Sequence, residues 1–78
     1  MEAEESEDLV GRIGRVSVPI PAAGPGEVMV AVRGGTEAFA AWAEAPVQKN
    51  CAVVVVEVRS PRSVTVTPFP EADPIVRS

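Results

Sequence analysis

The residue types that carry out covalent catalysis and metal binding are nearly missing from this sequence. It contains no histidine and one cysteine, Cys51. Ser-His-Asp triads, Cys-His pairs and the usual zinc sites all need a histidine or several cysteines. A Ser-Lys pair would need Lys49 beside a serine, and none of the five serines lies in a recognisable motif. We therefore predict no catalytic residue, no metal site and no cofactor.

The sequence also lacks the motifs that are typical of phosphate binding and of redox chemistry. Gly11 and Gly14 form only a GxxG pattern, and the Gly34-Gly35 pair is not followed by a helix that could cradle a phosphate. Because Cys51 is alone, it cannot form an internal disulfide, which favours a reducing compartment. We expect Cys51 to act as a small apolar side chain rather than a reactive thiol.

Length and charge divide the chain into one domain and two tails. Its 78 residues suffice for a single small domain. Five of the eleven acidic residues lie in the first eight positions, whereas residues 9–70 contain six basic and four acidic residues. We predict a disordered acidic linker over residues 1–8, a folded domain over residues 9–70 and a disordered tail over residues 71–78. No apolar run approaches the roughly 20 residues that span a bilayer, so we expect a soluble, monomeric chain.

The domain must position its residues on β-strands. Hydrophobic residues make up 46% of the chain and aromatic residues 4%, so aliphatic side chains must build the core. Turn residues separate five short apolar segments. These predicted strands cover residues 9–20, 27–33, 36–43, 51–59 and 64–69. With no helix among them, the pattern predicts an all-β barrel or sandwich.

The first segment changes parity along its length. Val16, Val18 and Ile20 alternate on one face, whereas Ile13 falls on the other. A β-bulge at Gly14 would bend the strand and let Ile13 point inward as well, and we predict one there.

The third and fourth segments need a choice between alternatives. Alanines in the third favour a helix by propensity, but the segment is short and lies between a glycine pair and Pro46, so we predict a strand. Phe39 then faces the core and Trp42 faces outward. Four consecutive valines in the fourth segment indicate a strand that is covered on both faces or bulged midway. The last two segments, joined by a Ser-Pro-Arg-Ser turn, predict a hairpin in which Phe69 also fills the core.

The order of these motifs resembles the soluble C-terminal domain of the NfeD family. The matching features are LVGRIG at residues 9–14, a Pro-Gly turn, the strand from Val28, PVQKN at residues 46–50, the valine run and the Val-Thr-Val of the last strand. The family often has glycine where Asn50 stands here, and asparagine tolerates the left-handed conformation better than most non-glycine residues.

The resemblance implies a five-stranded OB-fold barrel from a short family member without a serine protease domain. It further implies a parent protein anchored by membrane helices, with this domain in the cytoplasm, and a partner of the stomatin/flotillin (SPFH) type. On this interpretation the chain is an excised fragment whose acidic leader was the juxtamembrane linker, acting as a non-enzymatic interaction module.

Trp42 is the residue most suited to bind a partner. Tryptophan is enriched among interface hot spots, although Trp42 could equally cover a barrel end. Met29 and Arg33, on the outward side of the second strand, could complete a patch, with Arg33 supplying a rim charge or a cation–π contact. We therefore predict a partner-binding surface of Trp42, Arg33 and Met29.

An OB barrel could alternatively bind single-stranded nucleic acid. Such domains combine a basic groove with stacked aromatic rings. Arg12, Arg15 and Arg33 could line a groove, but few rings are available to stack. Nucleic-acid binding is therefore the alternative function.

Overall fold

A computed structural model of the chain describes residues 9–69; the tails predicted over residues 1–8 and 71–78 lie outside this range. Five strands form the domain, each within one or two residues of its predicted start or end except at the start of the first. They are β1 (Ile13–Val18), β2 (Gly26–Val32), β3 (Gly35–Trp42), β4 (Ala52–Ser60) and β5 (Ser63–Pro68). The alanine-rich third segment is a strand, as predicted.

The strands form a closed barrel in the order β1-β2-β3-β5-β4. Every neighbouring pair is antiparallel except β3 and β5, which run parallel over three residue pairs. β4 and β5 form the predicted hairpin. The prediction of an all-β, five-stranded barrel is confirmed.

Alternating valines fill the barrel interior. Val28 and Val30 on β2 and Val53 and Val64 on the hairpin are fully buried, and Phe39 packs among them. Every buried hydrophobic side chain apart from Phe39 is aliphatic, as the low aromatic content predicts. Ile20 closes one end through two backbone hydrogen bonds with Val47, each 2.9 Å long.

β1 departs from the prediction because its bulge lies elsewhere. The pairing with β2 steps from Val16 to Val18, so Ser17 is the extra residue, and its Oγ donates a hydrogen bond to Glu27 Oε1 at 2.6 Å. Val18 is consequently 48% exposed, and Ile13 is 46% exposed. The predictions that Ile13 and Val18 face the core, and that the bulge lies at Gly14, are wrong.

Glycine at positions 14 and 26 instead allows neighbouring backbones to approach. A Cβ at Gly14 would lie 2.9 Å from the carbonyl oxygen of Met29, and one at Gly26 would lie 2.4 Å from the carbonyl oxygens of Val18 and Pro19. Carbon atoms cannot come so close to a carbonyl oxygen without a backbone shift. Both positions therefore require glycine for packing.

The valine run of β4 contains a bulge. Its pairing with β5 steps from Val55 to Glu57, which leaves Val56 as the extra residue and 48% exposed. Before β4, Asn50 has a φ of 74°, a left-handed conformation that asparagine tolerates better than most other residues with a side chain. Within residues 9–69 there is no helix long and apolar enough to cross a membrane.

Candidate interaction surface around Trp42

Trp42 is the last residue of β3, where the strand pairs with β5. Strand alternation puts Phe39 and Ala41 inside the barrel and Trp42 outside, next to its parallel partner Thr65. Trp42 faces outward as predicted, but its side chain is partly buried. A residue of the β4–β5 hairpin causes this partial burial.

The guanidinium group of Arg59 covers the indole ring of Trp42. Its Cζ lies 4.4 Å from the centroid of the indole ring, within the range of a cation–π contact. One nitrogen, Nη1, is also 3.5 Å from Thr65 Oγ1, a long hydrogen bond. The pairing of β4 with β5 steps from Val58 to Ser60, so Arg59 is a bulged residue, and such bulges redirect side chains.

Met29 and Arg33, the other residues of the predicted surface, lie farther along the sheet. Met29 pairs with Ala38, four residues before Trp42, or about 13 Å along the strand. Arg33 follows Val32, which pairs with Gly35, seven residues before Trp42 and about 23 Å away along β3. The sheet therefore does not bring Arg33 beside Trp42, and Arg59 supplies the cation instead.

The sequence alone predicts only part of the position of Arg59. Hairpin pairing alone would place Arg59 near β5, but its position over Trp42 depends on the parallel contact between β3 and β5. That contact joins segments more than twenty residues apart. No periodicity within either segment encodes it.

A groove of about 400 Å³ adjoins this cluster. Residues 65–68 of β5 form its floor, Val56 lies on one side, and Glu44 and Ala45 lie on the other. The groove forms because the pairing of β3 with β5 ends at Trp42 and Thr65 while β5 continues to Pro68. An outward indole beside an open strand edge is suited to bind a protein segment.

Groups suited to chemistry are sparse at this surface and elsewhere in the part of the chain described. Among residues 9–69 there is no cluster of three or more His, Cys, Asp or Glu that could hold a metal ion. Cys51 is a free thiol and is exposed, so it does not pack as a buried apolar residue. It lies in the turn before β4, where backbone hydrogen bonds fix residues 48–51.

The aromatic rings are too dispersed for a continuous stacking platform. Phe39 is buried in the core, as predicted, and Arg59 covers Trp42. Phe69 is 42% exposed next to β4, so the prediction that it fills the core is wrong. Its backbone N–H donates to the carbonyl of Ala52, which holds it on the outside of the barrel.

Arg12 and Arg15 donate hydrogen bonds to backbone carbonyls of other segments. Arg12 Nη1 donates to the carbonyl of Ala31 at 3.2 Å, and Arg15 Nη1 donates to the carbonyl of Asn50 at 2.8 Å. Both contacts tie β1 to neighbouring segments. They place these two cations on the β1 side of the barrel, away from the Trp42 groove.

The strand order, the closed barrel and the open groove define a small OB-type domain. The chain belongs to the NfeD family, since the model of the NfeD C-terminal domain matches residues 13–67, well over half of its length. The family resemblance inferred from the sequence is therefore confirmed.

Two solved structures are similar to the chain. One is the soluble domain of the NfeD protein YuaF from Bacillus subtilis, with 30% identity over 87% of this chain and 84% of that one and a TM-score of 0.73. Another is the C-terminal domain of stomatin operon partner protein 1510-C from Pyrococcus horikoshii, with 26% identity over 82% of this chain and 92% of that one and a TM-score of 0.60. Comparison with curated protein sequences gives no significant match.

Proposed function

We propose that this domain is a non-enzymatic protein-interaction module that binds an SPFH-type partner through the surface around Trp42. The observation that carries the proposal is the outward indole of Trp42 beside the groove along β5. Family membership supports the choice of partner, because a similar structure is that of a stomatin operon partner protein. The parent protein would be membrane-anchored and present this domain, as a monomer, to the cytoplasm.

Arg59 is part of the proposed surface. With its guanidinium over the indole, Arg59 holds the ring in one orientation and places a cation beside Thr65, which lines the groove. A fixed aromatic ring loses less conformational entropy on binding than a free one. Met29 would contribute only if the partner extends about 13 Å along the sheet beyond Trp42, and Arg33 only if it extends about 23 Å.

Binding to an SPFH-type protein from the same genome tests the proposal. The soluble part of that protein would be titrated against the full 78-residue chain and against its Trp42→Leu and Arg33→Gln variants. We expect Trp42→Leu to weaken binding at least tenfold, the usual scale of a hot spot, and Arg33→Gln to have little effect. Equal affinities for all three proteins would contradict the proposal.

A labelled oligonucleotide tests the alternative function. An OB domain that binds nucleic acid loses affinity steeply as the salt concentration rises. We expect no binding even at low salt, because the three rings do not share a surface. Salt-sensitive binding would favour the nucleic-acid alternative.

A further inference from the structure

A second exposed surface lies on the outer face of β4. Outward side chains of a small barrel are usually polar, but here four large apolar side chains lie together across three strands. We call them the β4 strip: Ile13, Val54, Val56 and Phe69. Ile13 is the direct partner of Val54, which in turn pairs with Thr67, two residues before Phe69.

No element among residues 9–69 covers the β4 strip. Ile13, Val56 and Phe69 are each more than 40% exposed, and Val54 is partly buried. Val53 and Val55 face the core, so β4 is apolar on both faces. A strand of this kind normally packs against another layer on its second face. Contiguous exposed apolar groups mark interaction sites.

The dimensions of the strip fit an α-helix. The outer strands β1 and β5 are about 10 Å apart across β4, close to the diameter of a helix. From Ala52, beside Phe69, to Val56 the strip is about 13 Å long, or roughly two and a half helical turns. Three half-exposed side chains and the partly buried Val54 fall well short of the approximately 800 Å² per partner that a stable dimer buries, so a second copy fits less well.

Charges around the strip indicate what kind of helix would bind. Arg15 lies at its Ala52 end, where its side chain reaches the carbonyl of Asn50, and the exposed Lys49 is in the same turn. Acidic residues on a partner would complement these two cations.

We propose that the β4 strip binds an amphipathic α-helix of a protein partner, with acidic residues next to its apolar face. The apolar side chains of the helix pack on the strip, and its carboxylates face Arg15 and Lys49. The strip shares Val56 with the groove beside Trp42, but its other three residues do not line that groove, so the proposal does not depend on the function proposed above.

Model peptides can probe the strip without knowledge of the natural partner. The first probe is an 18-residue helical peptide of Leu, Ala and Glu with all leucines on one face. A second has Lys in place of every Glu, and a third scatters the leucines around the helix. Each would be titrated into the isotope-labelled 78-residue chain, and amide shifts would locate the contact.

Val18 provides a matched control for the strip, because it is as exposed as Val56 but lies at the far end of β1. We expect the double variant Ile13→Thr and Val56→Thr to weaken binding of the acidic peptide about tenfold, and Val18→Thr to change it less than twofold. Lys49→Gln should reduce the preference for the acidic over the basic peptide about threefold. The single variant Ile13→Thr, at an exposed residue that does not line the groove beside Trp42, serves if the double variant does not fold.

The proposal predicts that the acidic peptide shifts amide signals on β1, β4 and β5. These shifts should be lost in the strip variants and retained in Val18→Thr. Four results would overturn it: no binding up to about 1 mM; equal binding of the peptide with scattered leucines; binding of phosphatidylglycerol vesicles in place of the peptide; or self-association through the strip. Shifts confined to Trp42 and its neighbours would also overturn it, while leaving the function proposed for that surface intact.

Discussion

Removal of the charge of Arg59 should expose Trp42 and lower the stability of the barrel. The guanidinium lies 4.4 Å from the indole centroid, and both side chains are on the outside of the barrel. A cation–π contact at an exposed site contributes about 0.5–1 kcal/mol. The 3.5 Å hydrogen bond to Thr65 is too long to add much. We therefore expect Arg59→Gln to lower the free energy of unfolding by about 1 kcal/mol.

A double-mutant cycle isolates this contact. Trp42→Leu removes the aromatic ring and keeps an apolar side chain, and Arg59→Gln removes the cation. Urea unfolding followed by far-ultraviolet circular dichroism gives the four free energies. The coupling energy between the two positions should be about 0.5–1 kcal/mol. The same cycle with Arg33→Gln should give less than about 0.3 kcal/mol, because Arg33 is far from Trp42 along β3.

Fluorescence offers an independent measurement, since the chain has one tryptophan and no tyrosine. In Arg59→Gln, acrylamide should quench Trp42 more strongly than in the parent chain. Coupling of Trp42 with Arg33 rather than Arg59, or no change in quenching, would refute the arrangement described here.

Further predictions concern backbone positions. Gly26→Ala should lower the free energy of unfolding by more than about 3 kcal/mol, because the added Cβ would meet two backbone carbonyls. The control variant Gly24→Ala should change the free energy of unfolding by no more than about 0.5 kcal/mol. Urea denaturation measures both. Gly14→Ala should cost about 1–3 kcal/mol in the same assay, and no loss would show that the strands can separate there. Asn50→Gly should keep the melting temperature within a few degrees, while Asn50→Val should lower it clearly, because valine is strained at a φ of 74°.

Most of the fold could be predicted because the strands alternate regularly. Val28 and Val30 repeat with period two, and both are buried as that pattern requires. The alanine-rich strand was predicted from its flanking turns, against its intrinsic helical propensity.

The errors arose where a bulge changed the alternation. Both Gly14 and Ser17 are small residues that a bulge could use, and the sequence alone does not show that the Gly14 position is filled by the Met29 carbonyl. The bulge was therefore placed three residues too early. Because side chains alternate along a strand, an error in the position of the bulge exchanges the inward and outward sides of the residues near it. The sequence therefore wrongly predicts that both Ile13 and Val18 face the core.

The predicted surface failed in a different way. Trp42, Arg33 and Met29 were grouped by outward parity, which is correct for each strand, but parity says nothing about distance along the sheet. The register of β2 against β3 separates Arg33 from Trp42, and the parallel pairing of β3 with β5 brings Arg59 to it. Both facts are long-range and require the three-dimensional structure.

The most direct test of the central claim compares Trp42 with Phe69, which lies four residues, or about 13 Å, beyond Thr65, the strand partner of Trp42. The affinity of an SPFH-type protein from the same genome would be measured for the parent chain, Trp42→Leu and Phe69→Leu, with folding confirmed for each. We expect Trp42→Leu to lose at least tenfold in affinity and Phe69→Leu, in the β4 strip, to bind like the parent chain. Full affinity in Trp42→Leu would contradict the claim that this domain binds its partner through Trp42.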